Sequence, residues 1–267
     1  MVENTPETAG QSAPVWETLR YEARMAAQQE PALASYIDAA ILSHAEFRMA
    51  LAFHLAEKVS GRRLNALQLR EVCNQAYQAD PTIVTAALRD MGAVYTRDPA
   101  CHQYLQPFLF FKGFLALQVH RLSHWLWKDG RDTLALHLQS RASELFQVDI
   151  HPATQIGSGI MFDHATGIVI GETAVIGDDC TIMQGVTLGG TGKETGDRHP
   201  KIGNGVLVSV GAKILGNLMI GDKAKIAAGS VVLKNVAPLC TVAGVPAVPV
   251  GGPCAEAAKN MDQSIPE

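Results

Sequence analysis

From Ile156 to Val232 the chain sets a branched or bulky apolar residue at six-residue intervals, interrupted twice. The positions are Ile156 and Phe162, then Ile170, Ile176, Ile182 and Leu188, then Ile202, Val208, Ile214, Ile220, Ile226 and Val232. Glycine follows directly at Gly157, Gly171, Gly177, Gly203 and Gly221, and four places on comes a smaller or apolar residue, as at Ala174, Cys180, Val186, Ala212, Ala224 and Ser230. A helix repeats its buried face every 3.6 residues and a strand every two, so neither produces this period. Short flat strands joined by glycine-assisted corners do, and the spacing predicts a parallel β-helix. A β-sandwich with accidental spacing would not keep all twelve of these positions in frame.

Upstream of about residue 148 the grammar changes. Apolar residues recur at three and four, as in Ile37, Ile41 and Leu42 and again in Phe47, Leu51 and Leu55, which is the helical period. Asp80-Pro81 and Asp98-Pro99 both read as helix starts, an acidic cap followed by proline at the first helical position. The run from Leu105 to Trp127 is apolar enough for burial on most sides, with Trp125 and Trp127 as packing residues. The fold expected is therefore α+β: an unstructured N-terminus over 1–14, a helical domain over 15–148, a β-helix over 149–250, and a flexible tail over 251–267. Pro238, Pro246, Pro249 and Pro253 mark the approach to that tail.

Composition narrows the function. With 47% hydrophobic residues in 267 the chain supports a large core, and a net charge of −4 offers no basic footprint for nucleic acid. Met1 to Pro14 contains no apolar segment of a secretory signal, and no run of about 18 apolar residues could span a bilayer. Five widely spaced cysteines without a C-x-x-C pair fit a reducing compartment, so the expectation is a cytoplasmic protein; Cys180 falls in the small core column of the repeat.

Chemistry concentrates in the two interruptions. Phe162 to Ile170 is eight residues rather than six, with the surplus in Asp163-His164-Ala165-Thr166-Gly167; Leu188 to Ile202 is fourteen, across Gly189 to Pro200. Insertions in a stiff solenoid become loops on one face, often the binding face. Of nine histidines only His151, His164 and His199 lie in the repeat region, and two of them sit in the breaks. Singly, each candidate has an ordinary reading: Asp163 as a turn cap beside His164, Asp149 as a junction cap, Asp98 as a helix start, Arg198 and His199 as solvated loop residues. The glycine-rich second loop is not a phosphate-binding P-loop, because Thr187 replaces the first glycine and Glu194 the hydroxyl residue.

The strings Asp149-Ile150-His151-Pro152, Asp163-His164-Ala165-Thr166-Gly167 and Gly196-Asp197-Arg198-His199-Pro200, following a helical half and carried on a six-residue repeat, resemble bacterial serine O-acetyltransferases. The resemblance covers roughly residues 15 to 250. It implies a left-handed parallel β-helix that trimerises along its coils, with two trimers joined through the helical domains into a hexamer. It also implies transfer of acetyl from acetyl-CoA to the hydroxyl of L-serine in cysteine biosynthesis. No metal and no permanently bound cofactor are needed, and acetyl-CoA serves as cosubstrate.

Site roles follow from the same resemblance. His164 becomes the general base, suited because a histidine ordinarily titrates near pH 6.5 (about), and Asp149 holds its ring. Asp98 and Asp163 take the substrate ammonium, and Arg198 with His199 its carboxylate. Acetyl-CoA is expected in a groove near Gly190, Gly211, Ala228 and Gly229, with Lys225 toward its phosphates. Cysteine, which keeps the same ammonium and carboxylate, is expected to inhibit. The family's tail ends in an isoleucine that docks into O-acetylserine sulfhydrylase, whereas this chain stops at Ser264-Ile265-Pro266-Glu267, which counts against that complex.

Three other readings share the platform. A hexapeptide-type carbonic anhydrase needs a histidine pair five residues apart, which the repeat region lacks. A hexapeptide acyltransferase acting on homoserine or a sugar is the nearer alternative, and a non-catalytic scaffold leaves the collection of His, Asp and Arg in the breaks unexplained.

Overall fold

A computed structural model describes residues 9–192, 194–254 and 256–265, with side chains described from residue 15 onward. The first half is helical: α1 (Ala9–Gln29), α2 (Ala34–Ile37), α3 (Phe47–Val59), α4 (Ala66–Ala79), α5 (Thr82–Arg97), α6 (Leu105–Leu109), α7 (Lys112–Lys128) and α8 (Asp132–Phe146). Starts and stops have local causes. Asn65 and Gln68 form a reciprocal capping box on α4, and Asp80 caps α5 by accepting the Thr82 N–H at 3.1 Å. The first two turns of α7 are buried all round, as the apolar run from Leu105 onward requires.

Two expectations change here. Asp98-Pro99 ends a helix rather than starting one: Asp98 is the extended residue that closes α5, its carboxylate turned onto the Ala100 N–H at 2.8 Å. The residue before a proline is pushed out of helical geometry, so Asp-Pro can stop a helix as readily as precede one. At the N-terminus, α1 already begins at Ala9, inside the stretch expected to be unstructured; residues 1–8 lie outside those described.

From Val148 the chain coils. Successive turns run β1 (Val148–Ile150), β2 (Gln155–Ile156) and β3 (Met161–Asp163), then β4 (Ile168–Ile170), β5 (Val175–Ile176) and β6 (Thr181–Met183). They continue through β7 (Thr187–Gly189), β8 (Lys201–Ile202) and β9 (Leu207–Val208), then β10 (Lys213–Leu215), β11 (Met219–Ile220) and β12 (Lys225–Ile226). The spiral closes with β13 (Val231–Val232), β14 (Thr241–Gly244) and the antiparallel β15 (Ala247–Pro249), and α9 (Ala257–Asn260) follows.

Every third strand stacks in parallel, which makes three sheets: A (β1-β4-β7-β10-β13), B (β2-β5-β8-β11) and C (β3-β6-β9-β12-β14, with β15 at its end). The six-residue positions form one inward column per sheet. In sheet A the register is Ile150, Ile170, Leu188, Ile214, Val232; in sheet C it is Phe162, Ile182, Val208, Ile226, Val242. The small residues between them are also buried, Cys180 among them, where burial pushes its thiol up to about 12. Cys180 therefore fills space, as its place in the repeat predicts.

The last residues are not a loose tail. The outward column of sheet C, Met161, Thr181, Leu207, Lys225 and Thr241, is buried, and the segment after residue 256 lies across much of it while the helical half covers Met161 and Thr181 as well. Thr181 donates to the Ala258 carbonyl, Ala257 and Ala258 pack on Leu207, and Met261 joins Val94, Cys101 and Met161. Small residues, one methionine and one aspartate reach four strands of this face, a capacity the proline-rich sequence hides.

The two halves approach closely where α7 crosses β3. A Cβ built on Gly113 would stand 2.1 Å from the Phe162 carbonyl oxygen, so glycine is required for the approach. Because that neighbour is backbone and cannot swing away, Gly113→Ala is expected to lower stability by about 1–3 kcal/mol. Thermal unfolding would read this as a fall in midpoint; an unchanged midpoint would show that the junction is slack.

Candidate active site

The first break forms the corner where sheet C passes to sheet A of the next coil. His164 and Ala165 both adopt left-handed backbone, φ 52° and 59°, which costs a non-glycine residue about 1–2 kcal/mol. The turn is held at both ends: Gly167 N–H donates to the Gln147 carbonyl at 2.8 Å, and Lys112 from α7 donates to Thr166 Oγ1. Ala165 points inward and is fully buried, so the two surplus residues raise His164 outward, its side chain 75% exposed. Its Nε2 stands 3.8 Å from Asp163 Oδ1, beyond hydrogen-bond range.

Asp163 and Asp98 do come together. Asp163 ends β3, Asp98 ends α5, and the two elements pack on each other. Burial pushes the Asp163 carboxyl above the usual carboxylate range; the neighbouring imidazole of His164 opposes this and the charge of Asp98 adds to it. Two carboxylates sharing a half-buried corner favour a cation between them.

Asp149 stands one residue into β1 with its Oδ1 accepting the Gln139 amide of α8 at 2.7 Å. Here it fastens the junction between the halves through a side chain rather than by capping a backbone amide, and no hydrogen bond joins it to His164 among the described residues. The two are near in the fold, because Gln147, two residues before Asp149, carries the far end of the His164 turn.

Arg198 and His199 lie elsewhere, at the corner between sheets A and B. Thr173, one coil below, organises them: its hydroxyl accepts the Arg198 and His199 N–H groups, both at 3.0 Å, and contacts His199 Nδ1 at 2.9 Å. The Thr173 N–H also donates to Nδ1 at 3.1 Å, which assigns the proton of the neutral ring to Nε2. Burial chiefly, then the adjacent guanidinium of Arg198, lowers the His199 pKa, so the neutral form persists. Gly171 makes room for the ring: a Cβ there would stand 2.0 Å from Nε2. Arg198 Nη2 bonds Glu172 Oε2 at 2.7 Å, and that guanidinium holds the Glu172 carboxyl below its ordinary range.

Sequence reading missed Glu172 and Thr173. A signal existed: both occupy the same corner one coil earlier, opposite the larger insertion, where whatever the loop folds onto must sit. The structure also divides the residues assigned to acetyl-CoA. Gly211, Ala228 and Gly229 share the corner of His164, where Gly167, Gly185, Gly211 and Gly229 stack with positive φ. Each N–H in that stack donates one coil down, to Gln147, Thr166, Gln184 and Val210. Gly190 instead borders Arg198 at the other corner. Lys225 must be withdrawn from the phosphate-facing set. It is 2% exposed, its ammonium bonded to Asp262 Oδ2 at 3.0 Å and the Ser264 carbonyl at 2.7 Å, because the overlying tail segment covers that column of sheet C.

A β-helix built on a six-residue repeat, with a lifted histidine in one interruption, an arginine in the other and Asp98 of α5 brought beside Asp163, defines a hexapeptide-repeat transferase. The family models agree: serine acetyltransferase, N-terminal, matches residues 15–119, and bacterial transferase hexapeptide (six repeats) matches 199–234. The serine acetyltransferase of Escherichia coli is 54% identical over 250 residues, 93% of this chain and 92% of that one. A crystal structure of Neisseria gonorrhoeae serine acetyltransferase in complex with serine is 51% identical with a TM-score of 0.87, covering 89% of this chain and 97% of that one. One from Brucella abortus in complex with coenzyme A is 49% identical with a TM-score of 0.89, covering 91% and 96%. The chain belongs to the serine acetyltransferase family.

The raised carboxyl of Asp163 has a thermodynamic consequence. Its folded pKa lies above its unfolded one, so the ionised group costs stability above the folded pKa and nothing below the unfolded value of about 3.9. Asp163→Asn is therefore expected to raise the thermal midpoint at neutral pH, with the gain disappearing on acidification, while serine binding weakens. A midpoint that falls at neutral pH and recovers in acid would reverse this account.

Proposed function

We infer that this chain transfers acetyl from acetyl-CoA to the hydroxyl of L-serine, giving O-acetylserine and coenzyme A. The observation that carries this reading is His164: an exposed imidazole, raised by strained backbone beside Asp163 and Asp98, on the corner that also bears the glycine stack. Membership of the family, and relatives crystallised with serine and with coenzyme A, support both substrates.

The chemistry is direct transfer. As the serine oxygen attacks the thioester carbonyl, His164 takes the hydroxyl proton; the tetrahedral intermediate collapses with loss of the C–S bond, and the imidazolium returns the proton to the departing thiolate. A positioned base of this kind contributes roughly 10²–10⁴-fold. Asp149 is assigned to the second ring nitrogen, exchanging its Gln139 partner for the imidazolium that forms. Asp98 and Asp163 receive the ammonium. Arg198 and the Nε2–H of His199 receive the carboxylate, with the guanidinium shared with Glu172. The groove along Gly167, Gly185, Gly211, Ala228 and Gly229 takes acetyl-CoA where missing side chains let it approach backbone.

These groups lie at opposite edges of sheet A, a strand of three residues or about 10 Å apart. That exceeds the ammonium-to-carboxylate span of one amino acid, so the site is assigned to two copies, each giving one edge. A trimer packed along the coils satisfies this, and the helical halves are the surface left for pairing trimers into a hexamer. No described helix is long and apolar enough to cross a membrane, and the five free cysteines support a reducing cytoplasmic setting. The sulfhydrylase partner turns on the terminal residues, and Pro266 and Glu267 lie outside those described.

A thiol-release assay with acetyl-CoA, run with serine, homoserine and sugar acceptors on wild type and His164→Ala, tests the reading. Serine is expected to be the preferred acceptor, and His164→Ala to lower kcat by about 10²–10⁴-fold with little change in substrate affinity. Preference for another hydroxyl would favour the alternative acyltransferase, and unimpaired turnover would remove His164 from the chemistry.

A further inference from the structure

α5 lies along the edge where sheet B passes to sheet C, and polar side chains along one face of it grip the coils. Asp90, fully buried, accepts the Ile160 N–H at 2.9 Å on one oxygen and the Arg121 Nε at 2.9 Å on the other. Arg121 in turn donates to the Gly157 carbonyl at 2.7 Å, so the corner leading into β3 hangs from this pair. Two turns further along α5, Arg97 is 9% exposed. Its Nη1 donates to the Cys180 carbonyl and to Thr181 Oγ1, both at 3.2 Å, and its charge is answered by Asp179 at 3.5 Å.

The Cys180 carbonyl also accepts the Met161 N–H at 3.0 Å. Met161 is two residues before Asp163 and Arg97 is one residue before Asp98, so a single oxygen serves the supports of both carboxylates. The helix end and the strand end come from chain segments far apart, and the Cys180 carbonyl oxygen is an atom that both reach. Arginine suits the task because its planar fork reaches acceptors on two consecutive residues, whereas lysine offers a point charge.

We propose that Arg97 is a positioning residue for the substrate amine, setting the spacing between Asp98 and Asp163 without touching substrate. The inference rests on assigning those two carboxylates to the serine ammonium.

The test is steady-state kinetics of full-length Arg97→Met and Arg97→Lys, each substrate varied against a saturating co-substrate, with Asp98→Asn and Leu55→Ala alongside. Leu55 is buried in α3 away from the site, so its variant reports loss of stability alone. Arg97→Met is expected to raise the serine KM by about ten-fold and Arg97→Lys by less, with the acetyl-CoA KM unmoved and Leu55→Ala unaffected in both. Should Arg97→Met fail to fold, Arg97→Lys carries the comparison. A serine KM at the wild-type value in the Arg97 variants, or one rising in step with the acetyl-CoA KM or with Leu55→Ala, would overturn the positioning role. If Asp98→Asn raises the serine KM and the Arg97 variants do not, the positioning role alone falls; if Asp98→Asn leaves it unchanged, the ammonium assignment falls and takes the inference with it.

Discussion

The register of coil on coil is the constraint from which the rest of this protein follows. The strands from β1 to β14 find their backbone partners one coil away, and the inward positions of the repeat are taken by apolar columns and small fillers. Chemistry therefore has to enter where the count is broken, and it does so without disturbing the stack. Phe162 still pairs with Ile182 and Ile170 with Leu188 on either side of the first break. Loops clamped at both ends by intact rungs are held more rigidly than ordinary surface loops, which is what lets Ala165 be buried while His164, in the same left-handed turn, is presented outward.

The helical half is a second support rather than an appendage. It contributes Asp98 at the end of α5, Lys112 to the His164 turn, Gln139 to Asp149, and the buried Asp90–Arg121 pair beneath the corner that leads to Asp163. A buried ion pair adds little net stability once desolvation is counted, and its value lies in fixing one arrangement. Here the arrangement fixed is the seat of α5 and α7 on the corner that leads into β3.

Much of this was legible from residue order alone. Twelve apolar positions in frame announce the β-helix, and the two miscounts mark the corners that carry His164 and Arg198-His199. What escaped has identifiable reasons. Asp98-Pro99 carries the residues of a helix start and closes a helix, because the same steric rule serves both. Glu172 and Thr173 are unremarkable within the repeat and matter only through the corner stacked above them. Lys225 is bonded to Asp262 and Ser264, which come from a segment whose prolines and small residues conceal its packing.

The division of the site between the two edges of sheet A is the claim on which the catalytic account stands, and a crystal structure of the protein grown with L-serine measures it directly. The account predicts the serine hydroxyl within about 2.6–3.2 Å of His164 Nε2, its ammonium between Asp98 and Asp163 of the same copy, and its carboxylate on Arg198 of the partner subunit. Serine held entirely by one chain, or bound away from His164, would contradict it.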